Sequence, residues 1–143
     1  MRKSELMTLW NIESWSVEPY GVYFVSRRLG TNRLENVGQA FQNLNISCTD
    51  YTEAEVLSLP MWGQLYVQLD ELDRLAQEVI LKDISPKEDK VLTLTDIMLD
   101  KSGCYDAFAL GYDVGESPAG HLYVLVPFDE NFTAQQDVMY ETL

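Results

Sequence analysis

Few residues in this chain are of types that do chemistry. His121 is the only histidine, so any Ser-His-Asp or Cys-His scheme must run through it. It follows "GESPAG", residues 115–120, where two glycines bracket four residues. A phosphate-binding loop needs a lysine and a hydroxyl residue directly after the second glycine, opening a helix whose amides point at the anion. Here His121 and Leu122 follow, the chain continues as the strand-like "HLYVLV", and Glu116 within the loop repels phosphate. The stretch therefore reads as a hairpin connection. Gly115 and Gly120 can take positive φ, Pro118 fixes a turn, and Ser117 can bond local backbone. His121 then starts a strand beside the loop, with Asp113 across the hairpin, and reads as an exposed or capping histidine.

The other constellations are weaker. Asp70, Glu71 and Asp73 crowd one turn of a helical pattern and Glu78 extends it. Paired carboxylates can do acid–base work on a glycoside, but these read as a solvated helix face. "DIMLDKSG", 96–103, lacks the alternating acids and the later glutamate of a calcium loop. Cys48 and Cys104 are far apart and without metal-ligand spacing, and are expected to be buried free thiols in a reducing compartment. No metal, cofactor or catalytic site is assigned. Arg27, Arg28 and Arg33 form the one basic cluster, too small for a nucleic-acid footprint and expected to pair with the chain's own acids.

The elements that must hold these residues follow from periodicity. "YGVYFVSR", 20–27, is β-branched and aromatic, a strand with Pro19 at its entrance. Residues 4–15 fit either a helix capped by Ser4 or an alternating strand. In 31–45, Leu34, Val37, Ala40, Phe41 and Leu44 recur at three- and four-residue spacing, which predicts an amphipathic helix. "TEAE", 52–55, is a capping-box pattern and starts a short helix that meets Pro60.

Residues 61–82 carry one apolar stripe, Trp62, Leu65, Tyr66, Leu69, Leu72, Leu75, Ala76, Val79 and Ile80, and predict a core helix with an acidic outer face. "DISPKEDK", 83–90, is a turn. "VLTL", 91–94, is a short strand or the lead into a helical turn at "TDIMLD" capped by Thr95. Strands are expected at 105–113 and 121–129, and the tail from Thr133 as a last helix or a frayed end. The sum is an α+β domain spanning 1–143, an antiparallel sheet with helices packed mainly on one face.

Charge is the unusual bulk feature. The 143 residues carry a formal net charge of −13. The imbalance is confined to one part: residues 1–49 hold five basic and four acidic side chains, and residues 50–143 hold five and nineteen. Such a surface repels nucleic acid and anionic membranes and attracts basic proteins. No apolar run approaches the roughly 20 residues of a transmembrane helix. The N-terminal "MRKSELMTLWNIESW" lacks the pattern of a secretory signal, so a cytoplasmic protein is expected.

"VGESPAGHL", Val114–Leu122, resembles the G-E-[ST]-P-A-G-x-L segment near the C-terminal end of the nuclease A inhibitor family, and Glu141–Thr142 resembles that family's terminus. Here the stretch from loop to terminus is longer and Leu143 follows the threonine. The resemblance implies a small acidic cytosolic α+β protein that blocks a sugar-nonspecific nuclease.

Charge and resemblance together predict a non-enzymatic inhibitor or immunity protein for a basic toxin or nuclease. The alternative is a non-catalytic α+β interaction or regulatory subunit whose acidity serves solubility. The expected partner contacts are Asp113, Glu116, Asp129 and Glu130 near the hairpin ends, then Asp70 and Asp73, with Trp62 or Tyr112 as aromatic anchors if exposed. No direct nucleic-acid or membrane contact is expected.

Overall fold

The computed structural model describes residues 1–29, 41–83, 92–103, 106–117 and 120–142. Its described elements are α1 (Lys3–Leu9), β1 (Ile12–Glu18), β2 (Gly21–Leu29), β3 (Phe41–Thr49), α2 (Glu53–Ser58), α3 (Trp62–Asp83), β4 (Thr93–Asp100), β5 (Phe108–Ser117), β6 (Gly120–Phe128) and β7 (Met139–Thr142). The seven strands form one sheet in chain order. Every neighbouring pair is antiparallel except β3–β4. That exception has a simple cause. Parallel neighbours need a long crossover, and α2 with the 22-residue α3 supplies it.

The stripe on α3 behaves as its spacing predicts. Trp62, Leu65, Leu69, Leu72, Ala76, Val79 and Ile80 are buried. Leu75 is partly buried against them, and Tyr66 is 44% exposed, its ring edge-on to Trp10 at 5.2 Å. Alternate strand residues meet this stripe: Val22 and Phe24, Leu44, Ile46 and Cys48, Phe108 and Leu110, Val124 and Val126 all join one buried cluster with it. Each such apolar side chain contributes roughly 1.5–3 kcal/mol by leaving water. The indole groups are satisfied as well. Trp62 Nε1 donates to the Val56 carbonyl at 2.8 Å and Trp10 Nε1 to the Trp62 carbonyl at 3.3 Å. The capping box at α2 is formed, with Glu55 N donating to Thr52 Oγ1 at 3.2 Å and Thr52 N to Glu55 Oε1 at 3.0 Å.

Several elements differ from the sequence expectation. Residues 4–15 are neither helix nor strand throughout: α1 ends at Leu9 and β1 starts at Ile12, with Asn11 at φ 49 turning the chain between them. The helix expected over 31–45 fails at its C-terminal end, because Phe41–Thr49 is β3; residues 31–40 lie outside the described residues. Leu44 belongs to the alternation Leu44, Ile46, Cys48, so a strand residue had completed a helical spacing.

"TDIMLD" is likewise strand, not a helical turn. A bulge between Leu94 and Asp96 inserts Thr95, so the buried residues run Leu94, Ile97, Leu99 and mimic a three-residue step. The tail ends in β7, paired with β6 from Leu122↔Thr142 to Leu125↔Met139, not in a helix. Most of the turn expected at 83–90 lies outside the described residues. Among the described residues no helix is long and apolar enough to cross a membrane.

Candidate functional site

The "GESPAG" stretch is a β-hairpin. Ser117 pairs with Gly120, Glu116 with His121, and Gly115 and Gly120 sit at φ 98 and 121. Such φ values cost an L side chain energy and cost glycine little. The strands reach further into the loop than their sequence suggests, to Ser117 and Gly120; Pro118 and Ala119 lie outside the described residues. A bulge between Asp113 and Gly115 is held by Gly115 N donating to Asp113 Oδ1 at 2.9 Å. His121 Nε2 lies 2.6 Å from the same Asp113 oxygen. Asp113 is exposed and His121 half-buried, so the pair stands at the sheet surface near the hairpin tip.

A polar cluster missing from the sequence expectation lies beside this pair. Thr95 Oγ1 and Tyr123 Oη are 2.6 Å apart, and both donate to Asp96 Oδ2, the threonine at 2.8 Å. Tyr123 lies across Gly111, whose missing Cβ leaves the space: a Cβ there would stand 2.6 Å from the tyrosine oxygen. Burial, and then the hydrogen bond to Asp96, push the Tyr123 phenol well above its ordinary pKa. A phenol held protonated is a donor, not a nucleophile. The cluster therefore locks β4 to β6 across β5. Its signal in the sequence is faint, because Thr95, Asp96, Gly111 and Tyr123 meet only through strand pairing and a bulge.

The expected contact residues fall in separate places. Asp113 and Glu116 belong to the hairpin end of β5. Asp129 and Glu130 follow β6 at its opposite end. Asp129 Oδ1 accepts from Asn131 N and Thr133 N, both at 2.9 Å, and so organises a turn; Glu130 is exposed. Asp70 is exposed on α3. Asp73 points inward instead, accepting from Tyr112 Oη and from Gln77 Nε2 at 3.0 Å.

Tyr112 is a correction. It was expected as an aromatic contact, but it is wholly buried, because β5 runs through the centre of the core and its hydroxyl finds its partner in α3. Trp62 is buried as well, at the start of α3, where its ring packs edge-on against Trp10 and Phe24. On the outer side of α3, Arg74 bonds Glu71 at 2.5 Å and Glu78 at 2.5 Å, so part of that acidic face is already neutralised within the helix. Arg27 pairs with Glu13 at 3.1 Å.

Comparison with models of known families, with curated proteins and with solved structures gives no match. Function must therefore be argued from these residues. Among the described residues no group of three or more His, Cys, Asp and Glu could hold a metal ion. The "DIMLDKSG" stretch closes on itself: Asp100 Oδ1 accepts from Ser102 N at 2.9 Å and from Ser102 Oγ at 2.6 Å, and Gly103 follows at φ 98. Cys48 is buried and unbonded to another sulfur, and burial pushes its thiol up to about 12. Such a thiol is a core residue, not a nucleophile. Cys104 lies outside the described residues.

Proposed function

We propose that this protein is a small acidic inhibitor or immunity protein that binds and occludes a basic toxin or nuclease in the cytoplasm. The observation that carries the reading is the charge distribution: nineteen acidic against five basic side chains over residues 50–143. Carboxylates on such a chain can occupy the track of a nucleic-acid backbone on a basic enzyme. The resemblance of the 114–122 stretch to nuclease A inhibitors supports the same class, and in this structure that stretch is the end of the β5–β6 hairpin. The reading takes the chain as one domain with its helices on one face of the sheet, which leaves the other face for a partner.

The test is a tagged pull-down from a lysate of the source cell, washed at low and at high salt, followed by a nuclease assay on what is released. Salt release of one basic protein whose activity the chain blocks is the expected result. Retention only of an apolar, salt-insensitive partner would favour a regulatory subunit and contradict the inhibitor reading.

A further inference from the structure

An inhibitor must present one surface, and the expected contact residues do not form one. The side of the sheet away from the buried cluster does. Residues paired across strands share a face. One row of pairs runs Ser16, Tyr23, Ser47, Met98, and the next runs Ser14, Val25, Asn45, Asp96. Between these rows lies the row Trp15, Phe24, Ile46, Ile97, which points to the core. Ser14, Ser16, Asn43 and Asn45 are exposed, as is Asp113 further along the same face.

Short hydroxyl and amide side chains, Ser14, Ser16, Asn43, Asn45 and Ser47, stand along this face beside Tyr23, Val25 and Met98. Such side chains hydrogen-bond adaptably and lose little rotamer freedom when a partner covers them. Tyr20, 61% exposed, stands at the β1–β2 end with its ring 6.2 Å from that of Tyr23, an aromatic pair of the kind that anchors interfaces.

Charge points the same way. Among the described residues this face carries Glu18, Asp96, Asp100, Asp113 and Glu141 against two bases, Arg27, paired with Glu13, and His121, paired with Asp113. The outer side of α3 is less suited to a cationic partner, because Arg74 already occupies Glu71 and Glu78.

We propose that this polar sheet face, with Tyr20 and Tyr23 at one end, is the docking surface for a basic protein. The proposal rests on the inhibitor reading and locates where the inhibitor touches its target.

The probe is a basic sugar-nonspecific nuclease, titrated with the chain in a DNA-hydrolysis assay. Ser16→Lys with Asn45→Lys places two cations on the face. Gln64→Lys with Val67→Lys makes the same charge change on α3, where Gln64 is exposed and Val67 is 81% exposed. The face variant is expected to inhibit at least about tenfold more weakly than wild type, and the helix variant to lose no more than about threefold. Equal losses, or none in either, would overturn the docking face while leaving the inhibitor reading intact. Failure of the wild-type chain to inhibit would overturn that reading and the proposal with it.

A second measurement needs no variant. In isotope-labelled wild-type chain, the side-chain amide signals of Asn43 and Asn45 are expected to shift when the nuclease is added. Inhibition with both signals unmoved would overturn the face.

Discussion

Two glycines in the sheet make room for tyrosines. A Cβ on Gly21 would stand 2.6 Å from the Cys48 carbonyl oxygen and 3.0 Å from the Tyr23 oxygen, and one on Gly111 would meet Tyr123. Glycine weakens a strand unless a neighbouring ring covers it, and here rings do. Gly111→Ala is therefore expected to destabilise the fold by about 1–3 kcal/mol, read as a lower urea midpoint at unchanged slope. A neutral result would mean that Tyr123 moves without loss and that its bonds to Asp96 and Thr95 add little. Cys48 gives a second residue-scale expectation. With its thiol raised to about 12 by burial, the peptide bearing Cys48 should resist alkylation at neutral pH in the native chain and react fully in urea. Rapid native labelling of that peptide would contradict its place in the core. Neither glycine's role was legible in the sequence, because the side chain that needs the space arrives from elsewhere in the sheet or from two residues along a twisted strand.

At the scale of elements, the sequence was most readable where local chemistry decides. The Thr52 capping box and the α3 stripe formed as their spacing predicts, since both depend on neighbours along one helix. Reading failed where a bulge or a pairing partner decides. The inserted Thr95 gave β4 a helix-like spacing, and β7 forms only because β6 offers it an edge. The α2 cap also predicts a pH effect. Glu55 accepts from Lys101 Nζ and from Thr52 N, and these bonds, the lysine's first, hold its carboxyl below the ordinary carboxylate range. A depressed folded-state pKa contributes stability that is present above the unfolded value and lost as pH falls through the folded one. Glu55→Gln should therefore lower Tm near neutral pH and make the fall of Tm on acidification shallower. An acid slope equal to that of wild type would show that the Glu55–Lys101 bond is not kept in solution.

At the scale of the whole molecule, the legible property was charge, and the illegible one was where it stands. The excess of acids over residues 50–143 was plain in the composition. Its division between a helix face partly neutralised by Arg74 and a polar sheet face required the strand register. The residues expected at the hairpin ends lie at opposite ends of the β5–β6 ribbon, because a hairpin turns at one end only. The inhibitor account makes one demand that a merely solubilising charge does not. Association with the target must be driven by long-range attraction. The direct measurement is the association rate of the chain with a basic sugar-nonspecific nuclease as a function of ionic strength. The account predicts a rate near 10⁸ M⁻¹s⁻¹ at about 0.02 M salt, falling at least about tenfold by about 0.5 M. Binding at a salt-independent rate of about 10⁵–10⁶ M⁻¹s⁻¹, or no binding at all, would contradict it.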